Sequence, residues 1–238
     1  MKQFILIILL SILGIHSYSQ FRNGIVRRKI NKKSFIINQS TSKKKVRSRW
    51  CVDLGLSVKW ATCNLGATKP EEFGKYYAWG EIKNKKNYDI KNYKFCDIKN
   101  DYKVNKYCSR NDIGIRLDYK KTLSKADDAA TSNLGNNWRM PSESEFNELL
   151  QKCQWTWITY KGTTGYKITS KLNGNSIFLP ATGWYGRYIN NRGSVGYYWS
   201  RSLSSGNDYP ICLRFFSNTM ETYTYGRYIG CTIRPVRP

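Results

Sequence analysis

The sequence predicts an α+β domain, and three observations carry that prediction. Residues 137–153 spell out a capped amphipathic helix; the apolar pattern then switches to period two, with Asn173-Gly174 marking a hairpin. The elements also run as strands, two helices and strands again, where a doubly wound parallel sheet would alternate the two types.

In chain order, Met1-Lys-Gln precedes an apolar run from Phe4 to Ile15 and small residues at Ser17 and Ser19. That pattern predicts a secretory signal peptide over residues 1–19, too short to span a bilayer, and no second segment is a membrane candidate. Residues 20–50 read as a basic flexible arm, because blocks such as Arg27-Arg-Lys29 and Lys43-Lys-Lys45 repel each other and resist compaction. The folded part is expected over 51–238. Val52 to Trp60 alternates as a strand, and 61–66 turns away from it. Tyr76 to Glu81 is aromatic, and 83–108 is a Lys/Asn-rich stretch expected to be a surface insertion.

Ser124 and Asp127 resemble a capping box for a helix over 125–134, with Gly135 as its left-handed stop. The second helix, 143–153, is the expected hub of the fold. Ser142 and Glu145 form its capping box, Glu143 favours the helix dipole, and Phe146, Leu149, Leu150 and Cys153 make one apolar stripe. Strands are predicted at 166–170, 176–179, 196–200, 210–216, 221–225 and 230–236, mostly antiparallel because the turns between them are short.

The net charge is +24, and eleven Lys/Arg with no acid fall within residues 22–49. Residues 51–238 hold the other part of the imbalance, with 28 basic and 16 acidic side chains. Both regions favour anionic partners. The one histidine, His16, lies in the signal, so a mature chain lacks Ser/His and Cys/His pairs and His-ligated zinc. No cofactor or metal site is expected. The seven cysteines all follow residue 50, in a compartment that permits disulfides, and an odd number leaves one thiol over. Cys96 and Cys108 are near enough in sequence to close a small loop; spacing alone leaves the connectivity open.

Five blocks together carry a family resemblance. They are Val52 to Gly66 with Tyr76 to Glu81; Asp128 to Pro141 with Glu145-Phe146; Gly174 to Ala181; Gly196-Tyr-Tyr-Trp-Ser200; and Ile233-Arg-Pro-Val236. In this order, over about 52–236, the chain resembles the Fibrobacter succinogenes major paralogous domain of exported bacterial proteins. The resemblance implies a C-type-lectin-like fold: two short helices flank small twisted antiparallel sheets, with first and last strands adjacent. It implies that Trp60, Trp79, Trp138 and Trp199 are core and that Arg139 is a buried or semi-buried anchor. It also implies a Cys63–Cys153 disulfide; Cys212 and Cys231, on strands close in sequence, are the next candidate pair, which leaves Cys51 as the spare. It implies no catalytic residues.

Function is therefore read from the surface. Trp184-Tyr-Gly-Arg-Tyr188, Arg192 and Tyr197-Tyr-Trp199 concentrate more rings than alternating burial needs. Rings beside Arg and Asn suit sugar stacking or peptide capture, which makes Trp184, Tyr185, Arg187, Tyr188 and Arg192 the candidate ligand-binding residues. The expected role is a non-catalytic binding or adhesion module, secreted, periplasmic or at the cell surface, whose partner is an extracellular glycan or protein. The alternatives are a charge-driven polyanion binder, or an enzyme using a carboxylate pair such as Glu71 and Glu72.

Overall fold

The computed structural model describes residues 50–206 and 208–238. The expected signal peptide, and all of the arm except Trp50, lie outside the described residues. Within them the two ends of the chain meet. β1 (Cys51–Val52) and β2 (Lys59–Ala61) form an antiparallel hairpin, and β13 (Val236–Arg237) pairs antiparallel with the other edge of β2, Val236 opposite Trp60. The single strand expected over 52–60 is thus two strands. Gly55 takes φ +69°, and its N–H donates to Asp53 Oδ1, so the chain turns where alternation alone predicts extension.

Residues 83–108, expected at the surface, contribute rings to the core. Short 3-10 turns and the pair β3 (Cys96–Asp97) and β4 (Lys103–Val104) fold this stretch inward. Tyr88, Tyr93, Phe95, Tyr107 and Cys108 enter the core, and the Tyr93 hydroxyl donates to Trp79 O at 2.9 Å. Lys83, Lys86, Lys91, Lys94 and Lys99 stay exposed around them, while Lys85 and Lys106 turn to Glu81 and Asp127. Irregular turns impose no period, so apolar residues spread among lysines do not register as a core face.

α1 (Ala129–Leu134) and α2 (Glu143–Lys152) are the two α-helices among the described residues. The cap of α1 is Asp128, whose carboxylate accepts from Thr131 N and Met140 N, and residues 125–127 form a 3-10 turn instead. Ser124 makes no side-chain cap bond; its hydroxyl donates to Asp127, as the Tyr107 phenol does. Gly135 ends the helix with φ +91° and its N–H on Thr131 O, but with extended ψ in place of the left-handed helical value. The hub helix α2 carries the predicted capping box, and Arg139 grips Glu145 with both terminal nitrogens. Phe146 and Leu149 are buried beneath it, Phe146 lying 5.9 Å from the Trp60 ring.

Three strands follow as a meander: β5 (Cys153–Tyr160), β6 (Thr163–Ser170) and β7 (Ser176–Pro180). The expected hairpin at Asn173-Gly174 joins the last two, Gly174 at φ +73°. β5 was not expected; it starts where α2 ends, so no loop residues announce it. Lys161 and Gly162, both with positive φ, close its hairpin to β6. Then come the two-residue strands β8 (Trp184–Tyr185) and β9 (Ile189–Asn190), and the sheet of β10 (Gly196–Leu203), β11 (Pro210–Phe215) and β12 (Met220–Thr224). The predicted last strand, 230–236, breaks into separate bridges, Tyr77 to Cys231 and Tyr198 to Thr232 parallel with β10, and the first residue of β13.

Alternation along β10 divides the core in two. Tyr198 joins Trp60, Phe146, Leu179 and Phe215 beneath α2, whereas Trp199 joins Trp79, Tyr107 and Leu203 on the opposite face of the sheet. Trp60, Trp79 and Trp199 are fully buried; Trp138 and Arg139 are half-buried.

All seven cysteines are free thiols, so none of the expected disulfides is formed. Cys212 lies on β11 and Cys231 on the far side of β10, two ladder spacings or about 10 Å apart, beyond the reach of about 7 Å that a bridge allows. The Cys108 thiol donates to Arg116 O and packs on Gly114, a neighbour of β4 on the edge away from Cys96. The Cys63 thiol is turned to Ala67 O in the loop after β2, while Cys153 starts β5 opposite Ser170 under the helix.

Candidate functional site

The β8–β9 hairpin holds the residues expected to bind a ligand. Its tightness demands Gly183: at φ +64°, a Cβ there would meet Asn190 O at 2.0 Å. Trp184 pairs with Asn190 and Tyr185 with Ile189, and consecutive strand residues face opposite ways. Trp184 therefore turns to one side, edge-on to Tyr225 at 6.2 Å. Tyr185 turns to the other, against Tyr76 at 5.6 Å and Tyr88 at 5.1 Å, with its hydroxyl donating to Lys86 O. Arg192 joins Tyr185's side, its guanidinium 4.6 Å above Phe73 and donating to the Tyr76 hydroxyl. Arg187 and Tyr188 stand at the tip, where Tyr188 is 79% exposed. The five expected residues are thus split between two faces and a tip, and they do not make one patch.

A more continuous aromatic surface lies on Trp184's side and enlists residues that the sequence reading passed over. Register in the β10–β12 sheet aligns Tyr197, Arg214 and Glu221 across one face, with Cys212 and Tyr223 beside them. Tyr197 stacks on Tyr225 at 5.0 Å, Tyr225 abuts Tyr223 at 6.1 Å, and the Arg214 guanidinium sits 3.5 Å above the Tyr223 ring. Glu221 accepts from Arg214 and holds it there. Burial opposes the Arg214 charge, but Glu221 and Tyr197 outweigh it and raise its pKa. Burial likewise raises the Tyr225 phenol, which keeps it neutral. The signal was present in Glu221-Thr-Tyr-Thr-Tyr225, whose odd-numbered residues share one face of a strand.

The carboxylates do structural work. Glu72 accepts from Thr68 N and Lys69 N and closes its loop, while Glu71 lies 3.6 Å from Lys161. Asp127 is buried among Lys94, Lys106, Tyr107 and Ser124. Burial pushes its pKa up, but the two ammonium groups and the phenol prevail and hold it well below the usual carboxylate range. Asp208 is alike: burial is outweighed by Lys121 and Ser109, and its pKa is lowered. A depressed folded pKa contributes stability above the unfolded value of about 4, lost as pH falls through the folded one. Denaturant melts should therefore hold steady from pH 7 to 5 and weaken below pH 4. The part-exposed lysines limit the total loss to about 2 kcal/mol.

Among the described residues no three His, Cys, Asp or Glu side chains converge to hold a metal ion, and no helix is long and apolar enough to cross a membrane. No protein-family model, no curated protein and no solved structure matches the chain.

Proposed function

We propose that this chain is an exported, non-catalytic recognition module of C-type-lectin-like architecture, related to the Fibrobacter succinogenes major paralogous domain. It works in the periplasm, at the cell surface or outside the cell. Its ligand, an extracellular glycan or protein, rests on the strip formed by Trp184, Tyr225, Tyr223 and Arg214, with Tyr188 at the edge. The architecture is supported by the pairing of β2 with both the first and the last strand, beside two short helices. The observation that carries the function is the strip itself: half-buried rings in mutual contact under a stacked guanidinium. Flat rings left partly in water recover stacking and desolvation energy when a sugar face or side chain covers them.

A second reading, a polyanion binder, is favoured by the +24 charge. One titration series separates the two. The mature chain is screened against neutral and acidic glycans, and each hit is followed from 50 to 200 mM salt. Stacking on the strip predicts weak salt dependence and about tenfold loss in Tyr223→Ala and Trp184→Ala. A steep fall with salt, unaffected by either substitution, would replace the first reading with the second.

A further inference from the structure

We infer that a second binding site lies in the cleft between Trp50 and Trp138, and that it takes one acidic sugar residue of a polysaccharide chain. None of its residues belongs to the strip described above, so the inference goes beyond that reading.

The terminal strands build the cleft. Val236 and Arg139 exchange both backbone hydrogen bonds, at 2.9 and 3.0 Å, which sets β13 alongside the segment leading to α2. Arg237 thereby comes over the Trp138 ring, its guanidinium carbon 5.7 Å from the centroid. Trp50 is held at the other wall by Thr62 N, which donates to its carbonyl, and its side chain is 53% exposed. The loop 135–138 is tied at its ends by Trp138 N on Gly135 O and by the Thr131 hydroxyl on Trp138 O. Asn136 and Asn137 are thus presented on a braced turn. The cleft is open to solvent and holds about 310 Å³, at the lower end of the range for small-ligand sites.

The chemistry of this space is unusually unspent. Arg237 Nε is enclosed without a hydrogen-bond partner. Among the described residues its guanidinium makes no ion pair, and no carboxylate lines the cleft. A half-buried cation without a counter-charge favours an anionic group arriving from outside. Trp50, and Trp138 on the side that Arg237 does not cover, offer indole surface to a pyranose ring, and two carboxamides supply donors and acceptors for its hydroxyls. Uronate and sulfated sugars share this combination of a flat apolar face, hydroxyls and one negative substituent. The domain's charge adds a reason for a polymer: residues 51–238 hold 28 basic and 16 acidic side chains, so further acidic units meet a surface of opposite balance.

The test uses the mature chain, residues 20–238, with three probes of equal length: a galacturonate hexamer, a heparin hexasaccharide and neutral cellohexaose. Tryptophan fluorescence and calorimetry should register an acidic hexamer, with the carboxylated and sulfated arms identifying which substituent is preferred. Trp138→Ala and Arg237→Gln should each weaken it about tenfold. Arg237→Gln should also erase the preference over cellohexaose. Asn137→Asp, at an exposed position where the fold is not at stake, should weaken acidic probes through repulsion even if Trp138→Ala unfolds. The Trp138 effect should persist at 0.5 M salt, because stacking is not screened. The inference is overturned if wild type binds neither acidic probe, if it binds cellohexaose as well, or if Arg237→Gln and Asn137→Asp stay within twofold of wild type. Tyr223→Ala should leave this binding unchanged. Loss in Tyr223→Ala with Arg237→Gln silent would sink this site and leave the strip standing.

Discussion

Replacing Arg234 with alanine should destabilise the domain by about 3–5 kcal/mol. Arg234 is fully buried, and no carboxylate pairs with it among the described residues. Its charge is held instead by oxygen dipoles: Nε donates to Asn64 Oδ1 at 2.9 Å, Nη1 to Ala61 O at 3.0 Å and Nη2 to Phe178 O at 2.8 Å. Burial lowers its pKa, as expected for a cation taken out of water. These bonds join the end of β2 to β7 and to the segment that leads into β13. Alanine would leave three buried acceptors without a donor and a cavity where the side chain had been. Arg234→Lys should recover a part of the loss, since an ammonium keeps the charge but not the planar fork. Urea denaturation measures both; an alanine variant within 1 kcal/mol of wild type would refute the assignment.

The second large effect is at Trp199. Trp199 Nε1 donates to Tyr77 O and Trp79 Nε1 donates to Ser200 O, both at 2.9 Å, so two buried indoles lock one segment to β10 reciprocally. Trp199→Ala should cost about 3–5 kcal/mol through the cavity and the lost bond. Trp199→Phe keeps most of the volume, and Tyr77 O still accepts from Cys231 N, so about 1–2 kcal/mol is expected. The double variant with Trp79→Phe should show coupling above about 0.5 kcal/mol, because each indole positions the backbone that the other binds. Strictly additive losses would mean that the two bonds act independently.

The hub helix was legible because all its signals are local. Ser142 and Glu145 satisfy each other's backbone within three residues, and the apolar stripe follows at once. The same logic failed at Ser124, whose hydroxyl turns to Asp127 while Asp128 caps the helix. β5 was hidden for a related reason: Cys153 completes the helical stripe and also begins a strand, so the pattern changes period without a break. The Lys/Asn-rich stretch misled through its average composition, since its rings are buried one at a time by separate turns.

The candidate site shows the same division. That rings cluster near 184–199 is plain from the chain; which of them remain near water is not. Trp184 and Tyr185 are adjacent in sequence, yet one joins the strip with Tyr225 and the other packs between Tyr76 and Tyr88.

By itself the amino-acid order determined the α+β character, the hub helix, the hairpin at Asn173-Gly174, the strongly basic balance and the absence of a histidine after His16. Tertiary structure alone decided that β2 stands between β1 and β13, that the thiols stay apart, and which rings form a continuous surface. The reason is the range over which each is settled. Caps and turns are closed by partners within a few residues, whereas Arg234 reaches Ala61 across a sequence separation of 173, and only the assembled fold brings such partners together.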